Sequence, residues 1–367
     1  MKKAIGTCFS LLITILCLAA AFDPASQWKG KVIKSDGYSI IQNPSEPMYP
    51  KAVLSLREEL KIGEAEGRKE YVFGVIGSIA VDPEENIYIS DSKEIHIKKF
   101  DRNGKYLRTI GRKGQGPGEF ERVTRIMLDL RNDLMVFDGM GRRLSFFSPS
   151  GDFIKTISSR ELSISDLMMN SRGRFLFSTY QMNPVTGMMS TSLSLSDGNF
   201  NLVKSVAVGK LQDVLTPFQP YLVWTIMKND HILFGFNDRY EITRVDREGN
   251  MIMKISRDFQ PVPIAPEERK RRLEWLEQPL DKKTPPDYPA FQSITTDEES
   301  RMIVRIYEKP GTGEGDFYDI FDAEGRYISK IILQYPPRLW KQNKLYIVEE
   351  DSNGFQSVKR YDVEWKY

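Results

Sequence analysis

His96 and His231 are the two imidazoles of a 367-residue chain. A histidine-rich zinc or copper centre needs more nitrogen or sulfur ligands than this pair supplies, so each reads as a sheet or turn residue. The two cysteines, Cys8 and Cys17, both fall inside an apolar leader. The chain after that leader has no thiol for a disulfide, a zinc site or a covalent nucleophile. Neither a G-x-S-x-G elbow nor a P-loop occurs. Carboxylates are the groups that remain. Asp82, Asp129, Asn170 and Asp297 recur at strand ends, where converging oxygens could hold calcium. Their regular recurrence argues instead for turn residues that accept backbone hydrogen bonds. Gly311-Thr312-Gly313-Glu314-Gly315-Asp316 has the look of a metal loop but reads as a hairpin tip. No cofactor is expected from these residues, with calcium the one ion left open.

The elements that would position such groups are hairpins. An apolar residue, a polar pair, a glycine and an alternating strand recur at Phe100-Asp101-Arg102-Asn103-Gly104, at Phe147-Ser148-Pro149-Ser150-Gly151, at Val245-Asp246-Arg247-Glu248-Gly249 and at Phe321-Asp322-Ala323-Glu324-Gly325. Asp197-Gly198 marks a degenerate copy. A second hairpin precedes each, first at Ile79-Ala80-Val81-Asp82 with Asn86-Ile87-Tyr88-Ile89, and six copies are countable. Two hairpins make a four-stranded antiparallel sheet. The spacing from Gly104 to Gly151 is 47 residues, which is propeller-blade length. The fold expected is an all-β, six-bladed propeller of four-stranded antiparallel blades. The last repeat offers three strands, so the segment 52–63 is expected to supply the fourth and close the ring. Residues 31–42 are expected to add a strand or two at the rim, with 43–50 as linker. A proline- and charge-rich stretch, 257–290, reads as a helical insertion between blades 4 and 5. Its helix, expected over 265–277, starts with proline and acids and carries its bases further along. The basic run is read as a solvated helix face.

The organisation expected is a leader at 1–21, an N-terminal extension and linker at 22–51, and the propeller at 52–367. Lys2-Lys3, an apolar run and Ala19-Ala20-Ala21 make a secretory signal peptide cut near Ala21. Its apolar run is shorter than the roughly 20 residues of a membrane span. Cys17 raises a lipoprotein as the second choice, disfavoured because Leu16 stands where that signal wants a small residue. The expected location is periplasmic or secreted, with no membrane span in the mature chain. The whole chain carries 52 Lys+Arg against 50 Asp+Glu; without the leader the two numbers are equal. A neutral chain lacks the basic excess that nucleic acid demands.

From Ile110 to Asp129 the sequence Ile110-Gly111-Arg112-Lys113-Gly114-Gln115-Gly116-Pro117-Gly118-Glu119-Phe120, followed by a strand ending in Asp129, resembles the repeat junction of NHL-type six-bladed propellers. In particular it resembles the exported bacterial proteins of that group. Asp138 with Arg143 fits their Asp…Arg-Ile/Leu pattern. Blade 1 departs from it with His96 where arginine is usual, and Lys228 and Lys341 replace the strand-end acid of later blades. The resemblance implies a rigid ring presenting a ligand or protein surface.

The function expected is thus an exported binding scaffold, more a binder than an enzyme and a monomer, whose partner is an unidentified protein or small molecule at the channel mouth. The alternative is a calcium-dependent hydrolase or lyase of gluconolactonase type, which rests on fold analogy. In a propeller the first strand of each blade lines the channel, and the links between blades enter it from one face. That logic selects Arg125, Asp166, Trp224, Gln292 and Arg338, with Tyr288 returning from the insertion, as binding residues, and the insertion as a partial lid. No catalytic residue and no metal ligand is selected.

Overall fold

A computed structural model describes residues 28–51, 53–185, 189–210, 218–274, 284–311 and 313–366. The leader expected at 1–21 lies outside the described residues. Six sheets are arranged in chain order as blades: blade 1 at 76–110, blade 2 at 123–158, blade 3 at 164–210, blade 4 at 222–257, blade 5 at 293–333 and blade 6 at 337–366 with Val53–Ile62. Neighbouring strands within each blade are antiparallel. First strands of adjacent blades pack against one another, which makes them the inner wall. Ser78 Oγ on the first strand of blade 1 accepts from the Ile126 amide of blade 2 at 3.2 Å, tying two inner strands directly.

The repeat's local chemistry explains the blades. Its leading apolar residue is buried every time, as Phe100, Phe147, Val245 and Phe321. Each such side chain contributes about 1.5–3 kcal/mol by leaving water. The acid that follows closes the turn. Asp101 Oδ1 accepts from the amides of Asn103 and Lys105, and Asp322 Oδ1 from those of Glu324 and Arg326. The strand-end Asp and Asn residues of the inner hairpin behave alike. Asp129 Oδ1 accepts from Arg131 and Asp133, Asn170 Oδ1 from Arg172 and Arg174, and Asp297 Oδ1 from Glu299 and Arg301. In blade 4 the equivalent position is Met227, not Lys228: its amide bonds to the His231 carbonyl as Asp129 bonds to Asp133. Blade 6 replaces the turn with Gln342 and Asn343, both at positive φ, between the paired Lys341 and Lys344.

The ring closes where expected. Val53–Ile62 pairs antiparallel with the C-terminal strand, in a register running from Val358 opposite Ile62 to Lys366 opposite Val53. The N-terminal extension does more than link. Its hairpin, Lys31–Ser35 with Tyr38–Asn43, joins the outer strand of blade 4 in parallel and makes that sheet six-stranded. The chain then crosses blade 5, where the Met48 and Tyr49 amides donate to the carbonyls of Tyr327 and Ile328. Asn43 anchors the crossing by accepting from the Trp28 indole and the Tyr327 amide and donating to the Ser256 and Gly325 carbonyls. The insertion contributes a helix at Pro266–Leu273. Residues 275–277 of the expected helix lie outside the described residues. Pro263 and Asp287 bridge the two ends of the insertion.

Candidate functional site

In this topology each blade's last strand delivers the chain to the face where the next inner strand begins. The loop between the second and third strands of each blade opens on that same face. The glycine-rich link 111–122 and the insertion therefore share one mouth of the ring. The link is a built object. Arg112–Lys113 pairs with Glu119–Phe120, and Arg143 reaches from blade 2 to donate to the carbonyls of Gly114, Gln115 and Glu119. Asp138, fully buried, accepts from the amides of Glu121, Arg122 and Gly141 and from Arg143 Nε. Asp91 performs the same task in blade 1 for Gly74 and Val75, and Asn237 in blade 4 for Tyr221. A polar side chain ending the second strand thus latches each of these incoming links. This is the physical content of the Asp…Arg pattern.

At the mouth, β-bulges interrupt the start of the inner strand in blades 1, 2, 3 and 6. A bulge leaves one residue unpaired and re-aims its side chain. In blade 6 that residue is Arg338, which is exposed. Protein crowding about its guanidinium lowers its pKa from the usual arginine value. Just past the bulges of blades 2 and 3, Arg125 meets Asp166 in a two-pronged pair: Nε to Oδ1 and Nη2 to Oδ2, each 2.6 Å. Both groups are half-buried, a setting in which a bidentate guanidinium–carboxylate bond holds its geometry.

Tyrosines fill the adjoining side. The ring of Tyr288 stacks on Tyr307 with centroids 4.5 Å apart, and Phe218 meets Tyr288 edge-on at 5.4 Å. The Tyr221 hydroxyl donates to the Gln292 carbonyl at 2.6 Å, and the Gln292 side chain donates to the Ile306 carbonyl at 2.7 Å. Burial, and then the Tyr221 hydroxyl beside it, raises the pKa of Tyr307 above the usual phenol range. Tyr180 is raised by burial and by the nearby Asp166. Tyr288 is pushed up to about 12 by burial and by Glu268, the carboxylate its hydroxyl bonds to on the inserted helix. Arg305 and Lys309 both pair with Asp316 at the blade 5 loop, so the acid of the glycine-rich loop serves as a counter-ion.

Two of the residues selected from sequence, Arg125 and Asp166, are brought into direct contact. Tyr288 and Gln292 join the tyrosine group. Trp224 is not part of it: it is half-buried in the seam between blades 3 and 4, against the cluster of Leu176, Leu193 and Leu222. Arg338 stands on blade 6 without an ion-pair partner among the described residues. Sequence reasoning missed Tyr180, Tyr221, Tyr307 and Arg305. Their signal was weak, because an aromatic at a strand end reads equally well as core. His231 lies in the inner-hairpin turn of blade 4, where its Nδ1 accepts from Arg244 at 2.9 Å. Among the described residues no group of three or more His, Cys, Asp or Glu side chains is arranged to hold a metal ion.

Six radial sheets closed by one strand from the N-terminal side, with long links gathered at one mouth, define a six-bladed β-propeller. The family model described as Domain of unknown function (DUF4934) matches residues 66–310, and the chain belongs to that family. Solved structures agree in fold. A protein from Bacteroides fragilis classed as exported is 12% identical, with 89% of this chain and 100% of that chain covered at a TM-score of 0.60. A member of the DUF4221 family from Bacteroides vulgatus is also 12% identical, with 85% and 98% covered at a TM-score of 0.50. A comparison with curated proteins found no match.

Proposed function

We propose that this chain is an exported binding scaffold, and that its ligand or protein partner is held at the mouth where the inter-blade links converge. The observation that carries this reading is the grouping of Tyr180, Tyr221, Tyr288 and Tyr307 beside the Arg125–Asp166 pair. Tyrosine and arginine concentrate binding energy in interfaces, because each offers a large apolar surface together with a directed polar group. These residues come from blades 2, 3, 4 and 5 and from the insertion, so the ring holds them in place before anything binds. The inserted helix is fastened over this side by Glu268 to Tyr288 and by Arg272 above Phe218 at 5.9 Å, which suits a partial lid.

Export rests on the Lys2-Lys3 leader and on the description of the Bacteroides fragilis structure as exported. Among the described residues no helix is long and apolar enough to cross a membrane. N-terminal sequencing of the protein recovered from the periplasm or medium should begin near Phe22. For the site, native mass spectrometry against fractionated glycans and peptides identifies a binder, and variants then locate it. Arg125→Ala and Tyr307→Ala should each weaken binding about tenfold or more while the ring stays folded. Lys228→Ala, on the opposite face, should bind normally. Normal binding by both mouth variants together with loss in the Lys228 variant would overturn the assignment.

A further inference from the structure

Blade 1 departs from blade 2 at one position that strand pairing makes equivalent. His96 stands opposite Asp91 as Arg143 stands opposite Asp138. In blade 2 the guanidinium fills the space beneath the incoming link and donates to three of its carbonyls. The imidazole is shorter, and its Nε2 is buried without a hydrogen-bond partner. Lys98 lies two residues on, hence on the same side of the strand. It takes over the link by donating to the carbonyls of Lys69 at 3.0 Å and Val72 at 2.6 Å. A cleft of about 750 Å³ remains between this strand, the link and the blade 6 loop, lined also by Phe73, Tyr106 and Phe355.

Lys98 is the buried cation of this cleft. Lys98 is 4% exposed, and its ammonium is met by two carbonyls and, at 4.7 Å, by the ring of Phe73 rather than by a carboxylate. An ammonium has three donors, so one remains after the two carbonyls. On the rim, exposed Lys69 and Lys93 balance exposed Glu70 and Glu94. Buried Asp91, opposite His96, and the rim acids Glu70 and Glu94 favour the Lys98 charge from a distance, but none of them bonds its ammonium. Burial, and then the Lys98 charge, lowers the His96 pKa, favouring a neutral ring that can present an N–H or a lone pair.

We propose that this cleft binds a small organic anion: a carboxylate or phosphate carried on an aromatic or apolar ring. Lys98 and His96 receive the charged group, and Phe73, Tyr106 and Phe355 receive the ring. An anion beside a lysine already stripped of water takes a charge-assisted hydrogen bond from its remaining donor and meets the unpartnered His96 Nε2. The cleft opens on the same face as the channel mouth but shares no residue with the tyrosine group there.

The test uses the full chain and four probes: benzoate, phenyl phosphate, inorganic phosphate and benzyl alcohol. With His96 and His231 the two imidazoles in the chain, their side-chain NMR signals are separately readable. Benzoate or phenyl phosphate should shift the His96 signals saturably and leave those of His231 unmoved, and whichever binds tighter identifies the charged group. Benzyl alcohol should bind at least about tenfold more weakly. Lys98→Met should weaken binding about 10–100-fold, the loss expected for one charge-assisted hydrogen bond. His96→Arg restores the blade 2 side chain. It should fill the cleft and abolish binding while the ring unfolds at an unchanged denaturant concentration. The proposal fails if neither ring-bearing anion shifts His96, if inorganic phosphate binds as tightly as phenyl phosphate, or if folded His96→Arg binds like the native chain.

Discussion

Arg257 and Asp319 form an ion pair at 2.8 Å with side chains 7% and 0% exposed, joining the outer strand of blade 4 to the third strand of blade 5. The remaining capacity of the carboxylate is taken by the hydroxyls of Tyr240 at 2.7 Å and Tyr327 at 2.8 Å. Arg257 lies over both tyrosine rings and donates to the Ser45 carbonyl of the N-terminal crossing. One buried pair thus links two blades and the segment that wraps them.

Removing its acid should be severe. Asp319→Ala leaves the guanidinium buried without a counter-charge and strands two tyrosine hydroxyls, a loss of about 3–5 kcal/mol. Equilibrium urea unfolding measures it. A loss below about 1 kcal/mol would show that water enters the seam and replaces the carboxylate.

Ring closure should weaken in acid. Asp362 on the C-terminal strand is held down to about 2 by hydrogen bonds from Arg57 on the closing strand and from Lys344. A carboxyl whose folded pKa lies below its unfolded value of 3.8 stabilises the fold above about pH 4, and that contribution disappears as pH falls toward 2. The denaturation midpoint should therefore fall more steeply between pH 4 and 2 in the native chain than in Asp362→Asn. Parallel profiles would remove Asp362 from the acid response.

The junction glycine is conformationally required. Gly111 sits at φ +70°, and a Cβ there would lie 2.1 Å from the buried ring of Phe120. Gly111→Ala should cost about 1–2 kcal/mol for the left-handed backbone alone, and more as Phe120 is displaced. Gly116 has no positive φ, and its Cβ would meet the flexible end of Glu119. Gly116→Ala should stay within about 0.5 kcal/mol of the native chain. Equal losses at both positions would contradict this account of the link.

The insertion should be releasable without unfolding the ring. Tyr288→Phe keeps the stack on Tyr307 but removes the hydroxyl held by Glu268. Hydrogen exchange across 262–274 should rise several-fold while exchange in the buried middle strands stays unchanged. An unaltered insertion would mean that the Arg269 bonds to the Thr284 and Pro285 carbonyls suffice to hold it.

Much of this protein could be read directly from its residues because the signals are local. A turn glycine, an acid accepting two amides and a buried apolar residue lie within five positions, and alternation along each strand reports its own two faces. Repetition then implied the blades, and a spare strand at one end implied closure. Contacts spanning large separations carried no such mark. Nothing near Lys31–Ser35 or Tyr38–Asn43 announces parallel pairing with Met251–Arg257, since an unpaired edge accepts any strand of suitable shape. Trp224 lies with Leu222 and Ile226 in the seam toward blade 3 while Val223 packs toward blade 5, so alternate positions of this inner strand enter opposite seams, and which residue reaches the mouth is a tertiary property. The tyrosines at 221, 288 and 307 meet, with 180 beside them, because consecutive blades bring their links and loops to one face. His96 could be seen to replace an arginine, but whether the vacated volume collapsed or stayed open depended on how the link and Lys98 packed around it, which the folded chain alone decides.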